Sequence, residues 1–359
     1  MTTGTTDRVY GCLIGGAIGD SLGAAVENWS YRRVREEYGK VDEFLSYDNP
    51  LAVGEPGTVT DDSVMRQYLA LAIVEHGGRV TPDEYAAVLS EHLDPDRVWI
   101  TEEMMYWKLL AGMNPWDAGR STVPAGTAVM HVAPIGIINA GDPRQAYQDG
   151  FNIAAIAQDG VNRDAAATVA AGVATALGPE ATLEDVLATM WECSSEVVYR
   201  TIDLTFELVE GAETVDEFVE AFYDERLDWR WPAVEWDREK YHQGEIFSAS
   251  GLEIVPASMA ILALCEGEPN RSLVEAASFG RDSDTIGSVV GNVVGALEGA
   301  SALRDDWISE CERANREFFE ELHGDPDENF EAMADRLVGA LEAELERTRL
   351  REATLSRLV

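Results

Sequence analysis

The chain has 359 residues, 46% of them hydrophobic, which is enough for a large core, and its 27 basic and 66 acidic side chains give a net charge of -39. That charge repels phosphate backbones and excludes non-specific nucleic-acid binding. Lysine is nearly absent, at Lys40, Lys108 and Lys240 only. An acidic, lysine-poor composition that keeps its arginine is that of halophilic proteins, where ambient salt screens the self-repulsion, so no carboxylate is informative merely for being charged.

The four cysteines, Cys12, Cys193, Cys265 and Cys311, have no short paired spacing, and three lie in apolar surroundings. They read as buried thiols of a reducing cytoplasm. The opening MTTGTTD is polar, without the basic start and apolar centre of a secretory signal. No run reaches the roughly 18 uninterrupted apolar residues of a spanning helix. A cytoplasmic protein with no membrane span is expected.

Helical periodicity dominates, and strand-like alternation is never sustained. Apolar and small residues recur at helical spacing over 8–26, 63–76, 82–92 and 101–112. The pattern resumes over 143–157, 163–177, 183–191, 195–210 and 214–223, then over 253–265, 271–280, 285–303, 306–322 and 328–350. The breaks YDNPLAVGEPG, LDPDRVW, GMNPWDAGRSTVPAG, WRWPAVEWDREKYHQGE and HGDPDEN are rich in Gly, Pro, Asp or Asn, and none is long or polar enough for a disordered linker. An all-α fold in one large domain, residues 1–325, is predicted. Residues 326–359 should form a C-terminal helix whose Phe330, Met333, Leu337, Leu341 and Leu345 pack on that domain, in a monomer.

Two segments carry glycine at every fourth position: Gly11, Gly15, Gly19 and Gly23 in GCLIGGAIGDSLG, and Gly287, Gly291, Gly295 and Gly299 in IGSVVGNVVGALEG. On a helix this spacing aligns them on one face. Each interior glycine costs roughly 1 kcal/mol against alanine, so eight of them predict another backbone approaching closely in the centre of a bundle.

Two further clusters combine hydroxyls with acids at the mouth of an apolar helix: Thr60-Asp61-Asp62 in TVTDDSVM and Asp282-Asp284-Thr285 in GRDSDTIG. Each could simply be a helix start, because threonine caps a helix and first-turn acids suit its dipole. If the two starts face one another, six oxygen-bearing side chains converge, a donor set suited to two magnesium ions. The readings are compatible.

In order along the chain, GCLIGGAIGDSLGAAVE, GTVTDDSVM, VMHVAPIG and GRDSDTIGSVVGNVVGALEGA resemble the signature of the ADP-ribosylglycohydrolases, over about residues 8 to 303. The resemblance implies an all-helical, orthogonally packed fold with a binuclear magnesium centre at the bottom of an ADP-ribose cleft, manganese being an alternative metal. It implies Thr60, Asp61, Asp62, Asp282, Asp284 and Thr285 as metal ligands, with Glu27 beside the metals and the substrate ribose. The middle departs from the family. Here PAGTAVMHVAP has Gly126 and Thr127 in the loop and His131 where members often have arginine, and Gln158 or Asp159 occupies the region of a common histidine.

The implied partner is an ADP-ribosylated protein or an ADP-ribose-containing small molecule. Hydrolysis at a ribose anomeric carbon builds oxocarbenium character, so it needs anionic surroundings, a held ribose and an activated water. Glu27 is the first candidate for general base, with Asp62 and Asp284 as alternatives; the bland reading of Glu27 is a solvated helix end. Asp20 reads as a packing residue or one that supports a ligand. The backbone at Gly126 and Thr127 could hold a diphosphate. His131 could touch substrate or be a core residue. An adenine platform would come from near Trp116 or from Trp229 to Tyr241. Two other readings stay open: a binuclear-metal hydrolase of another nucleoside or phosphorylated metabolite, and a non-catalytic ligand-binding member of the family.

Overall fold

The computed structural model describes residues 3–48, 53–226 and 250–358. Among these, 18 helices make up nearly all of the regular structure, and the strand pairing consists of Tyr47–Asp48 antiparallel to Val53–Gly54. The helices begin with α1 (Thr3–Gly23), α2 (Tyr31–Tyr38), α3 (Asp61–His76), α4 (Pro82–His92) and α5 (Ile100–Leu110). Two short ones, α6 (Thr127–His131) and α7 (Ala133–Ile138), lead into α8 (Pro143–Ile153), α9 (Val161–Ala176), α10 (Leu183–Cys193), α11 (Glu196–Gly211) and α12 (Val215–Ala221). The last third holds α13 (Gly251–Leu264), α14 (Pro269–Ala277), α15 (Ser283–Glu298), α16 (Asp305–Ala314), α17 (Arg316–His323) and α18 (Phe330–Leu355).

The glycine helices α1 and α15 form the central pair and run antiparallel. Cβ atoms built on Gly11, Gly15 and Gly19 would lie 2.4, 2.5 and 2.0 Å from the carbonyl oxygens of Gly295, Gly291 and Gly287, so only glycine permits this approach. The fourth step brings Gly23 against the backbone of Ser283 and Asp284, where a Cβ would meet atoms at 2.4 Å. The end of α1 is thereby set on the start of α15. Residues Gly4–Val26 are long and apolar enough to cross a membrane by length and composition, but 89% of the apolar window is buried inside the protein, where it packs on α15.

Four expectations needed revision. α2 escapes a periodicity reading because it is short and mostly polar, burying Tyr31 and Val34 on one face. α6 and α7 are buried but only five and six residues long, too short for a helical period to show. The single helix expected over 306–322 is two, divided at Asn315, whose Nδ2 turns back to the carbonyls of Cys311 (2.8 Å) and Gly57 (2.9 Å) while Oδ1 accepts from Val59 N (3.0 Å). In α18 the apolar stripe is buried at Phe330, Met333 and Leu337, against α1, α3 and α7, but Leu345 is 42% exposed. Leu341 is partly buried against the core, so only the last position of the stripe turns outward.

Candidate metal centre

Thr60 caps α3: its Oγ1 accepts from Asp62 N at 3.3 Å. The same hydroxyl donates to Asp20 Oδ1 at 2.8 Å, which leaves a lone pair to face the cleft that Thr60 lines. Asp20, fully buried on α1, also accepts from Thr60 N (3.1 Å), Ser63 N (3.1 Å) and Ser63 Oγ (2.6 Å). It thus holds the first turn of α3 in place. Below it, the buried Arg66 guanidinium donates to Ser63 and to Ser288 Oγ (2.6 Å), which sets a positive charge beneath Asp20 and Asp62. Asn315, through Val59 and Gly57, fixes the chain just before this turn.

The start of α15 is held equally firmly. Asn28 N donates to Arg281 O (2.6 Å) and Arg281 N to Trp29 O (2.7 Å), with Asn28 and Arg281 both in the left-handed region at φ 64° and 59°. Ser283 Oγ donates to Gly23 O at 2.9 Å. The Arg281 side chain is buried against Glu253 of α13, at 2.6 and 3.0 Å. Glu27 therefore sits beside Asp282 and Asp284. Thr285 Oγ1 then donates to Asp62 Oδ2 at 3.4 Å, joining the two clusters across 223 residues of sequence. The helix-start and metal-site readings describe the same residues.

The electrostatics are those of carboxylates short of positive charge. Glu27 is pushed up to about 8, Asp61 to about 6 and Asp282 to about 7, with Asp62 and Asp284 also raised. Burial is the largest cause in each case, and repulsion from neighbouring carboxylates adds to it. Asp62 Oδ1, Asp282 Oδ2 and Asp284 Oδ1 are buried without a hydrogen-bond partner. Orphaned carboxylate oxygens of this kind are costly unless a cation meets them. Ligand oxygens of Glu27, Asp282 and Asp284 lie within 4.8 Å of one another, close enough to share an ion, so the donors fit a hard divalent cation. Glu27, expected from the resemblance to lie beside the metals and from the chemistry to act as base, is near enough to be a ligand as well.

These groups floor a cleft of about 190 Å³, many times the space of one water, so it has room for a small molecule above the acidic floor. Gly126 and Thr127 line it, together with Glu102, Trp99 and Tyr47, which the sequence reading did not single out. Glu102, in the first turn of α5, is 1% exposed, its Oε2 has no partner, and burial together with Asp61 pushes it up to about 8. In the sequence it looks like any first-turn acid.

His131 does not line the cleft and is corrected to a core residue. It lies four residues, about 6 Å, along α6 from Thr127, fully buried against the Tyr85 ring, and burial lowers it to about 4, so it is neutral near pH 7. Gln158 is likewise buried away from the cleft, bonded to the loop that carries Gly126. Trp116 is 39% exposed and hydrogen-bonded to Asp83 at 2.7 Å, without lining the cleft. The Trp229 to Tyr241 platform lies outside the described residues.

Comparisons with known proteins bear on the family and the fold. The chain is 23% identical over 335 residues to a protein from Escherichia coli (strain K12) called "Uncharacterized protein YegU", covering 87% of this chain and 93% of that one. It is 27% identical over 325 residues to an uncharacterized protein from Archaeoglobus fulgidus, with 88% and 94% covered. A solved structure titled "ADP-ribosylglycohydrolase-related protein complex" shares the fold with a TM-score of 0.65 at 21% identity, covering 94% of this chain and 98% of that one. Residues 1–346 match the ADP-ribosylglycohydrolase family, and with the glycine-packed helix pair and the acidic floor it creates, the chain belongs to that family.

Proposed function

We propose that this protein is a magnesium-dependent hydrolase that cleaves the N- or O-glycosidic bond at the ribose anomeric carbon of an ADP-ribosylated protein or small molecule. The observation that carries this is the set of orphaned carboxylate oxygens of Asp62, Asp282 and Asp284 on the floor of a cleft with room for a small molecule, in a chain of this family. Thr60, Asp61, Asp62, Asp282, Asp284 and Thr285 would hold two magnesium ions, or manganese. When bound, the ions supply positive charge that orients the ribose hydroxyls.

The protein's own groups do the rest. The acidic floor favours positive charge developing at the anomeric carbon. Glu27 accepts a proton from the attacking water, a role that Asp62 or Asp284 could fill only by giving up a ligand position. Glu102, which lines the cleft near Asp61, offers its unpartnered oxygen to the group being released. Gly126 and Thr127 face the remainder of the substrate.

A second reading, hydrolysis of another nucleoside or phosphorylated metabolite, is favoured by the withdrawal of His131 from the cleft. The test is to incubate the protein and magnesium with ADP-ribosyl-arginine, ADP-ribosyl-serine, O-acetyl-ADP-ribose and simple nucleosides, and to follow the products by chromatography. Turnover of an ADP-ribose conjugate is expected. Turnover confined to nucleosides would replace the first reading with the second.

A further inference from the structure

The loop that carries Gly126 into the cleft is laced to the segment before α9. Gly119 N donates to Ala155 O (2.9 Å) and Thr122 Oγ1 to Ala157 O (2.9 Å). The lacing ends at one side chain. Gln158 is 2% exposed; its Oε1 accepts from Ala125 N at 3.1 Å and its Nε2 donates to Val123 O at 2.9 Å, so it grips the loop backbone on both sides of Pro124. The same Oε1 accepts from Asn162 Nδ2 at 3.3 Å, and Asn162, 4% exposed, accepts at Oδ1 from Gly251 N at 3.0 Å.

Gly251 opens α13, and that helix closes a ring of contacts. Its Ile254 presses on Gly126, where a Cβ would lie 2.3 Å from Ile254 Cδ1 and 3.5 Å from Asp282 Oδ2. Its Glu253 holds Arg281, the residue before Asp282. The loop, α13 and the acidic floor are thus joined in a circuit that Gln158 and Asn162 complete from the side away from the cleft.

We infer that Gln158 and Asn162 are positioning residues that set the height of the Gly126–Thr127 backbone over the acidic floor, and so govern how tightly substrate is held without taking part in cation binding. This rests on the reading of the cleft as the substrate site, but the mechanical coupling from Ala125 through Gln158 and Asn162 to Gly251 does not. Removing the Gln158 amide leaves the buried Ala125 N unpaired and Val123 O with only the 3.4 Å bond from Thr101 Oγ1, which the loop relieves by shifting.

Gln158→Met keeps the volume and removes the hydrogen bonds. Three readouts separate the possibilities: amide hydrogen exchange followed residue by residue, magnesium titration by calorimetry, and steady-state kinetics on whichever conjugate the wild type hydrolyses. About tenfold faster exchange at Ala125 and at Gly251 is expected, with exchange on α10 and α11 unchanged and magnesium affinity within about twofold, one lost hydrogen bond being worth roughly that tenfold factor. KM should rise about tenfold while kcat stays within about twofold.

Unchanged exchange at Gly251 would overturn the coupling, and faster exchange across the whole chain would reduce the pair to ordinary structural residues. Faster exchange with an unchanged KM would overturn the role toward substrate. If wild type hydrolyses no ADP-ribose conjugate, the proposed function fails, yet the exchange measurement still decides the coupling. Should Gln158→Met not fold, Asn162→Ala cuts the link to Gly251 alone and must quicken exchange there; if it does not, the inference falls.

Discussion

Gly19 of α1 and Gly287 of α15 meet so closely that a Cβ on Gly19 would lie 2.0 Å from the carbonyl oxygen of Gly287, and one on Gly287 would lie 2.3 Å from the carbonyl oxygen of Gly19. The contact is backbone on backbone, and neither side can yield by changing a rotamer. Because Glu27 and Asp282 lie just beyond the ends of these two helices, the separation of the helices also sets the width of the acidic floor.

Gly19→Ala should therefore cost about 3 kcal/mol, the upper range for overpacking, and should weaken magnesium binding. Gly339→Ala is the control. It lies within α18 with nothing near its added methyl and should stabilise by about 1 kcal/mol through helix propensity alone. Chemical denaturation of both variants measures the difference, and equal effects would mean that the helix contact is looser than described.

Asp62→Ala and Asp284→Ala should each weaken magnesium binding by at least about tenfold, because each removes an oxygen with no other partner. If the aspartates served only as helix caps, each would cost about 1 kcal/mol of stability and leave metal affinity alone. Calorimetric titration of magnesium into wild type and both variants separates the cases, and three indistinguishable isotherms would sink the metal site.

The two glutamates should part company. Glu27→Gln should lower turnover about 100-fold or more and weaken metal binding slightly, given its place within 4.8 Å of Asp282 and Asp284. Glu102→Gln should lower kcat/KM about tenfold or more with magnesium affinity unchanged within about twofold. Kinetics and calorimetry on the same preparations test both, and a Glu102→Gln enzyme with wild-type kinetics would remove Glu102 from the site.

Metal-free protein should lose stability as pH rises. Glu27, Asp282 and Glu102 have folded values of about 8, 7 and 8, above the ordinary carboxylate range. The folded state therefore binds more protons than the unfolded chain between roughly pH 4 and pH 8, and the stability that this confers falls progressively across that window and is gone above about pH 8. Comparing thermal midpoints at about pH 6.5 and about pH 8.5 keeps clear of His131, whose titration in the unfolded chain would act below about pH 6.5. A lower midpoint at the higher pH is expected. Excess magnesium should abolish the difference, and its apparent affinity should rise with pH as bound protons are displaced. Equal midpoints without metal would contradict the clustered carboxylates.

Salt should stabilise the molecule. With a net charge of -39, the thermal midpoint is expected to rise between about 0.1 M and about 2 M potassium chloride as screening shortens to a few ångströms. A flat response would show that the acidic surface is not adapted to salt.

The glycine spacing and the two hydroxyl-acid clusters were legible in the sequence because each expresses a local rule. A glycine at every fourth helical position has no use except close approach, and acids beside threonine at a helix mouth put oxygens where the helix begins. The helices of the main bundle were legible because each is long enough for apolar and small residues to recur at helical spacing over several turns; α6 and α7, of five and six residues, were not. Tertiary structure decided what depends on who is across the gap. It turned Asp20 into the clamp of the α3 first turn, withdrew His131 from the cleft, brought Glu102 to Asp61 and set Gln158 on the loop backbone. None of these has a periodicity or spacing of its own: each is a short-range bond or a burial created when residues tens to hundreds of positions apart are packed together.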